Sequence, residues 1–250
     1  MWSLSGNVAQ LHSANLHARL DLNRLLDGLQ TLDARLSPET EWIRPTGQIL
    51  QFQLADSNTH NHRLLDAYVR GSDLIVSFAG SGQAGALPQL CWRSLESAEI
   101  SACGVELIMS VQTELLHAIL TSTLSSRLAI EEAWMLHESG EWKCCWAAAQ
   151  AVPECPLPSA RGLLLLRLAG TGACYLEMVH PSDFYQGTVA LVDKTSAVCE
   201  SRIRLFPDAL EKGVIRCARV RGYFLPRAND LESAQVLFQE FARSQPPLTT

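Results

Sequence analysis

Lysine- and arginine-rich runs are missing from this chain of 250 residues, whose formal net charge is −6. A nucleic-acid footprint needs a contiguous basic patch, so neither DNA nor RNA is an expected partner. Long apolar runs are missing too. The most apolar stretch, residues 162–170, is interrupted by Arg167. It falls well short of the roughly 20 residues that a membrane-spanning helix needs. Residues 1–20 show no basic segment followed by a long apolar one, so no signal peptide is read there. The expectation is a soluble, cytoplasmic protein with no membrane partner.

Short catalytic signatures are also absent. The chain has no G-x-S-x-G elbow, no P-loop, no G-x-G-x-x-G and no H-E-x-x-H. These absences count against hydrolases of those types, nucleotide-dependent enzymes and zinc proteases, and no cofactor is predicted. They say little about sugar-acting proteins, whose carboxylates and histidines carry no short signature. The eight cysteines (91, 103, 144, 145, 155, 174, 199 and 217) contain no C-x-x-C pair, which removes the zinc-ribbon and thioredoxin-like readings. The chain is too long for a disulfide-held mini-domain, and most of these cysteines have apolar neighbours. They read as small buried thiols.

Apolar residues make up 47% of the chain and charged residues 18%, a composition that folds around a large core. Most segments read as strands. Leu50, Phe52 and Leu54 alternate with Gln51 and Gln53, the period-two pattern of a half-buried strand. Residues 66–78 hold two β-rich runs around Gly71-Ser72, which suits a tight hairpin turn. Residues 128–136 and 143–149 form a second expected hairpin with Ser139-Gly140 at its tip. Residues 163–168 and 173–180 form a third, around Gly170-Thr171-Gly172. Strands are also expected at 188–193, 202–206 and 214–226. Hairpins repeated at short spacing predict an antiparallel sandwich or barrel.

Two segments carry helical spacing. Leucines at 22, 25, 26, 29 and 32 predict a short N-terminal helix over 20–36. Leu231, Ala234, Leu237, Phe238 and Phe241 predict a C-terminal helix over 229–244, with Asn229 or Asp230 as its cap. Residues 104–116 fit either period, and their β-branched and Ser/Thr content favours a strand. The proline-rich stretch 151–162 is the one seam. It reads as a crossover between two sheets of a single 1–250 domain, in preference to a linker.

Candidate site residues come from these strands. On 214–226, alternation places Arg219, Arg221 and Tyr223 in one row, with Arg216 on the other face. On 173–180 it places Tyr175 and Glu177 together, so Glu177 could pair with Arg219 or Arg221. A sheet face of Arg, Glu and Tyr suits sugar hydroxyls or anionic groups, although ordinary charge pairs on a solvated face are the simpler account. Gly222 could bulge the strand and move Tyr223 off the row. Trp92-Arg93 is a second candidate, a ring to stack on a ligand beside a planar donor fork. His180 near Asp183 could do acid–base work. His60 and His62 could share a metal, but the sequence nominates no third ligand.

Together these readings predict a mainly β protein: a large antiparallel two-sheet sandwich with a short N-terminal and a C-terminal helix. In size and strand count it resembles the large sandwich fold of the galactose-mutarotase type. That resemblance carries no matched motif and brings no catalytic residues with it. A carbohydrate-binding or carbohydrate-active protein is the first expectation, with a carbohydrate or other small polar ligand as partner. A non-enzymatic scaffold or interaction module is the alternative. The sequence leaves the oligomeric state open.

Overall fold

The computed structural model describes residues 1–24, 27–54, 63–79, 85–118, 122–137, 139–147, 154–157, 162–193, 195–206 and 208–245. The chain opens with strands β1 (Trp2–Ser5), β2 (Val8–His12), β3 (Leu16–Asp21) and β4 (Gln30–Ala34). They pair in that order as an antiparallel meander. The main sheets are built from β5 (Gly47–Leu54), β6 (Leu64–Arg70), β7 (Asp73–Phe78), β8 (Ala86–Ser97) and β9 (Ala102–Thr113). After the two-residue β10 (His117–Ala118) come β11 (Ser122–Leu136), β12 (Trp142–Ala147), β13 (Glu154–Leu157), β14 (Leu163–Leu168) and β15 (Ala173–Val179). The last elements are β16 (Gln186–Asp193), β17 (Val198–Leu205), β18 (Leu210–Glu211, paired with β10), β19 (Arg216–Pro226) and helix α1 (Asp230–Arg243).

Strand β11 organises the sandwich. Its first half, Ser122–Ala129, pairs with β17, and Ser122–Leu128 pairs with β5. Its second half pairs with β14 and β12. One strand therefore belongs to two sheets. The smaller runs β13-β16-β17-β11-β5, and the larger runs from β11 through β14-β15-β19-β9-β8-β7-β6. Residues 154–157 of the expected seam form β13, the edge of the smaller sheet.

Alternation explains the layers. Phe52, Leu124 and Ile203 of the smaller sheet and Leu107, Val220 and Phe224 of the larger share one buried cluster. The outer face of the larger sheet is not wet either. Leu163, Leu165, Leu176, Met178 and Leu225 are buried there against Leu237, Phe238 and Phe241 of α1. This is why residues 163–168 read as a nearly unbroken apolar run: the strand has oily neighbours on both sides. Each Leu or Phe buried under the helix stabilises the fold by roughly 1.5–3 kcal/mol.

The expected N-terminal helix is a correction. The described residues of 20–36 hold the end of β3, the residues beside a turn and β4, and α1 is the one helix longer than a turn among the described residues. Leu20 and Leu22 lie on one buried face, then Leu32, Ala34 and Leu36 on the next, two period-two sets whose sum mimics a helical period. The turn is dictated locally. Asp21 Oδ1 accepts the Asn23 amide at 3.0 Å, and Gly28 takes φ 60. A Cβ on Gly28 would stand 2.3 Å from the Ile49 carbonyl oxygen, so only glycine lets this turn close onto β5.

Residues 104–116 resolve as strand through Thr113, in β9. The hairpins around Gly71-Ser72 and Gly170-Thr171-Gly172 form as expected, and so does the pairing of β11 with β12. Asn229 does stand at the cap position of α1 but makes no side-chain cap bond. Asp230 Oδ1 instead accepts the Leu231 amide at 2.8 Å.

Candidate functional site

The arginine row predicted on β19 exists, and α1 covers it. Register is regular along β19 on both sides, so Gly222 makes no bulge and Tyr223 stays with Arg219 and Arg221. Arg219 is buried, and its Nη1 donates to the Ser244 carbonyl (3.1 Å) and hydroxyl (3.2 Å) just past the helix. Arg221 donates to Glu106 at 2.8 Å and places its guanidinium 4.4 Å from the centre of the Phe241 ring. Tyr223 is buried in the same layer. Arg93 extends the row: its Nε and Nη2 fork onto Asp73 at 3.0 and 2.7 Å, and its Nη1 lies 3.5 Å from Glu106. The result is an alternating ladder, Asp73–Arg93–Glu106–Arg221, which runs across four strands and ends under the helix.

Trp92, Tyr175 and Glu177 lie on the other side of the larger sheet. Trp92 faces the core and is 1% exposed, so it offers a ligand no ring. Glu177 stands opposite Gly222, one position off the arginine row, and therefore on the opposite face. The expected pairing of Glu177 with Arg219 or Arg221 is corrected by this register. Glu177 is fully buried between the two sheets. Its carboxyl accepts the hydroxyl protons of Ser126 and of Ser201 (2.7 Å), with the Tyr175 hydroxyl at 3.4 Å. Burial pushes this carboxyl above its ordinary range, against the three hydroxyls that pull it down. Tyr175 is buried as well, its hydroxyl raised first by burial and then by the neighbouring Glu177.

His180 leaves β15 at a turn. Its ring stands edge-on to Phe241, and its Nδ1 lies 2.8 Å from the Ser182 hydroxyl. Asp183 accepts the Arg219 amide at 2.9 Å, so this group secures the strand exit. Burial, then the Arg219 charge, lowers the His180 pKa. The pair His60 and His62 lies outside the described residues. Among the described residues no three His, Cys, Asp or Glu side chains gather as a metal site would require.

The open polar concavity is on the outer face of the smaller sheet. Its volume is about 690 Å³, within the range of small-molecule sites. Three adjacent strands supply it in register. On β11, Thr123, Ser125 and Arg127 point outward. Across β5 they meet Gln53, Gln51 and Gln48, and across β17 the last two meet Arg202 and Glu200. Arg24 and Asp27, an ion pair at 2.9 Å, wall it from the β3–β4 turn. The Leu29–Ile49 bridge and the tight approach of Gly28 hold that turn in place.

The floor of the cavity is organised before any ligand arrives. Gln51 Nε2 donates to Gln48 Oε1 at 2.8 Å, and the Ser125 hydroxyl donates to Gln51 Oε1 at 3.3 Å. Glu200 is 2% exposed and holds two arginines, Arg127 Nε at 2.7 Å and Arg202 Nη2 at 2.5 Å. A bulge in the β5–β11 pairing shapes this face. Leu50 adopts φ 54, and Ile49 and Leu50 both turn inward. Leu50's amide, freed from the ladder, donates to the Ser126 hydroxyl at 3.0 Å. Ser126 is the residue that also donates to Glu177. The buried acid thus stands directly behind the cavity floor.

A second concavity of about 440 Å³ lies on the larger sheet over β7–β9. Leu65, Leu87, Pro88 and Ile215 line it beside Gln89 and Gln112. It brings no charged side chain among the described residues that line it. No helix among the described residues is long and apolar enough to cross a membrane.

No protein-family model matches the chain, and no curated protein matches it. Solved structures do. An Escherichia coli K12 protein provisionally named as an aldose 1-epimerase aligns with a TM-score of 0.57 at 8% identity, over 87% of this chain and 98% of that one. A GalM/aldose epimerase homologue from C. elegans aligns at 0.54 and 8%, over 87% and 98%. A Klebsiella pneumoniae protein, also provisionally named as an aldose 1-epimerase, aligns at 0.54 and 8%, over 99% and 90%. The likeness is one of fold: the β-sandwich of this chain is similar to theirs, the architecture its size and strand count resembled.

Proposed function

We propose that the protein binds a carbohydrate on the outer face of the smaller sheet. One observation carries the reading. A cavity of sugar-accommodating size is lined by glutamine, serine, threonine and arginine side chains in cross-strand register, some already hydrogen-bonded to one another. Amides and guanidinium groups are planar and offer paired contacts, which suits neighbouring hydroxyls on a ring. The fold is one on which proteins provisionally named as aldose 1-epimerases are built, and a sugar ligand accords with that. The row on β19 is the less favoured location, because a ligand would reach Arg219 and Tyr223 only if α1 lifted.

Binding is favoured over sugar chemistry by the state of the acids. The two carboxylates that line the cavity, Asp27 and Glu200, are each held by arginine. Glu200 lies buried beneath two guanidinium groups and Asp27 faces Arg24, so neither carboxylate is presented to a sugar as a general base would be. The test is calorimetric titration with a panel of mono- and disaccharides, neutral and acidic. Saturable binding by the native protein, weakened about tenfold in Gln51→Ala, is expected. A panel in which nothing binds would remove the reading.

A further inference from the structure

We infer that the sugar bound in this cavity carries an acidic group, a carboxylate or a phosphate, received by Arg127 and Arg202. The inference rests on the carbohydrate reading above and names the ligand's chemical class. Charge within the cavity is lopsided. Three arginines line it against two carboxylates, in a chain whose overall charge is −6. Arg24 and Asp27 neutralise each other at 2.9 Å. That leaves Arg127 and Arg202 to share the single carboxylate of Glu200. One negative charge balances only one of them.

The geometry of the sharing matters more than the sum. Glu200 is the buried member, with a side chain 2% exposed, whereas those of Arg127 and Arg202 are 51% and 58% exposed. The carboxylate is therefore a fixed counter-ion at the floor, and the guanidinium groups are the presented surface. Arg127 engages Glu200 through Nε and Arg202 through Nη2. Each guanidinium has five N–H donors, so each keeps donors for a ligand. Arg127 is positioned by its hydrogen bond to Glu200 Oε1, whereas Arg202 meets Oε2 as an ion pair without a hydrogen bond. Two exposed guanidinium groups on one buried counter-ion form a receptor for a second anion, and a carboxylate or phosphate matches their planar donor edges in shape. Arg204 adds to the same side. It stands two residues beyond Arg202, opposite Thr123, with its guanidinium 5.8 Å from the Tyr185 ring centre.

The cavity is also polarised across its strands. The β5 side offers three glutamines, the middle strand hydroxyls and Arg127, and the β17 side the Glu200–Arg202 pair. A ligand with hydroxyls at one end and an acid at the other fits that order. Its ring would lie over Gln51 and Ser125, and its acid over Arg127 and Arg202.

The experiment titrates the native protein with glucose, glucuronate, glucose 6-phosphate and inorganic phosphate at low salt and at about 0.15 M salt. At least one acidic sugar is expected to bind about tenfold or more tightly than glucose, with affinity that falls as salt rises. Which acidic sugar wins tells carboxylate from phosphate. Arg202→Gln is expected to weaken the acidic sugar about tenfold and to leave glucose within about threefold. Arg202→Lys should fall between, having the charge without the fork. Arg127→Gln repeats the test independently should Arg202→Gln fail to fold. Glucose binding as tightly as both acidic sugars would overturn the inference and leave the carbohydrate reading standing. Failure of every sugar to bind would remove both. Inorganic phosphate binding as tightly as glucose 6-phosphate would also overturn the inference, since the sugar would then contribute nothing.

Discussion

Glu177 and Arg221 lie on paired strands, one register position apart, and on opposite faces of the larger sheet. The acid points into the sandwich to Ser126 and Ser201. The arginine points outward to Glu106 and Phe241. Two groups that look like partners in sequence therefore serve separate layers, and each makes its own prediction.

For Glu177, burial is the largest influence, and it raises the carboxyl above the ordinary 4.5. Such an acid keeps its proton in the folded state after the unfolded chain has released it. Its contribution to stability is fully present below pH 4.5 and is lost as pH rises through the higher folded value. Glu177→Gln is expected to flatten that decline and to stay within about 1 kcal/mol of the native protein at neutral pH. Glu177→Ala is expected to cost about 2–4 kcal/mol, because it opens a cavity and leaves Ser126 and Ser201 without their acceptor. Denaturant unfolding across pH 4 to 9 measures both. A Glu177→Gln curve parallel to the native one would disprove the linkage.

Gly222 is required by a ring. A Cβ there would stand 2.4 Å from the Tyr175 hydroxyl oxygen and 2.9 Å from Cε2. Gly222→Ala must therefore push Tyr175 aside and is expected to cost about 2–3 kcal/mol. Tyr175→Phe removes the worst contact. The double variant should be less destabilised than the sum of the singles by about 1 kcal/mol, which thermal or chemical unfolding of all four proteins will show. Simple additivity would mean that the clash is relieved elsewhere.

Arg221 holds the far end of α1 to the sheet. Removing it as Arg221→Ala takes the nearer of two cations from Phe241, leaving Arg219 at 5.6 Å, and leaves the buried Glu106 with only Arg93, 3.5 Å away. A loss of about 2–4 kcal/mol is expected, concentrated in the helix. Hydrogen exchange should quicken first in residues 235–245. Protection lost evenly over both sheets would contradict the assigned role.

The eight cysteines are free, and only Cys144 and Cys217 are exposed. Burial pushes the Cys199 thiol up to about 12 and the Cys91 thiol to about 11. Thiolates are the reactive form, so a chromogenic disulfide reagent should titrate two thiols quickly in the native protein and all eight in denaturant. More than two fast thiols would show that buried ones open readily.

Much of the fold was legible because period two is a local signal. Leu50, Phe52 and Leu54 turn in and Gln51 and Gln53 turn out, as their alternation implied. The same locality misled at 20–36, where two short strands around Gly28 summed to a helical spacing. Site legibility failed for a different reason. Gln51 and Arg202 were each readable as outward residues, but that Ser125 lies between them depends on the pairing of β5, β11 and β17. No spacing in the sequence reports such distant pairings. Faces can also be read without reading what covers them. The row Arg219, Arg221 and Tyr223 was assigned to the right face, but the covering helix α1 could be placed there only in three dimensions.

Strand β11 hydrogen-bonds to β17 and β5 with one half and to β14 and β12 with the other. It works as a common spine, so neither sheet has a complete set of partners until residues 122–136 are in place. A disturbance that shifts this strand by one residue would exchange inside for outside in both sheets at once. The cavity face, the Glu177 clamp and the bed of α1 therefore share one register, and an error in it would be felt in all three.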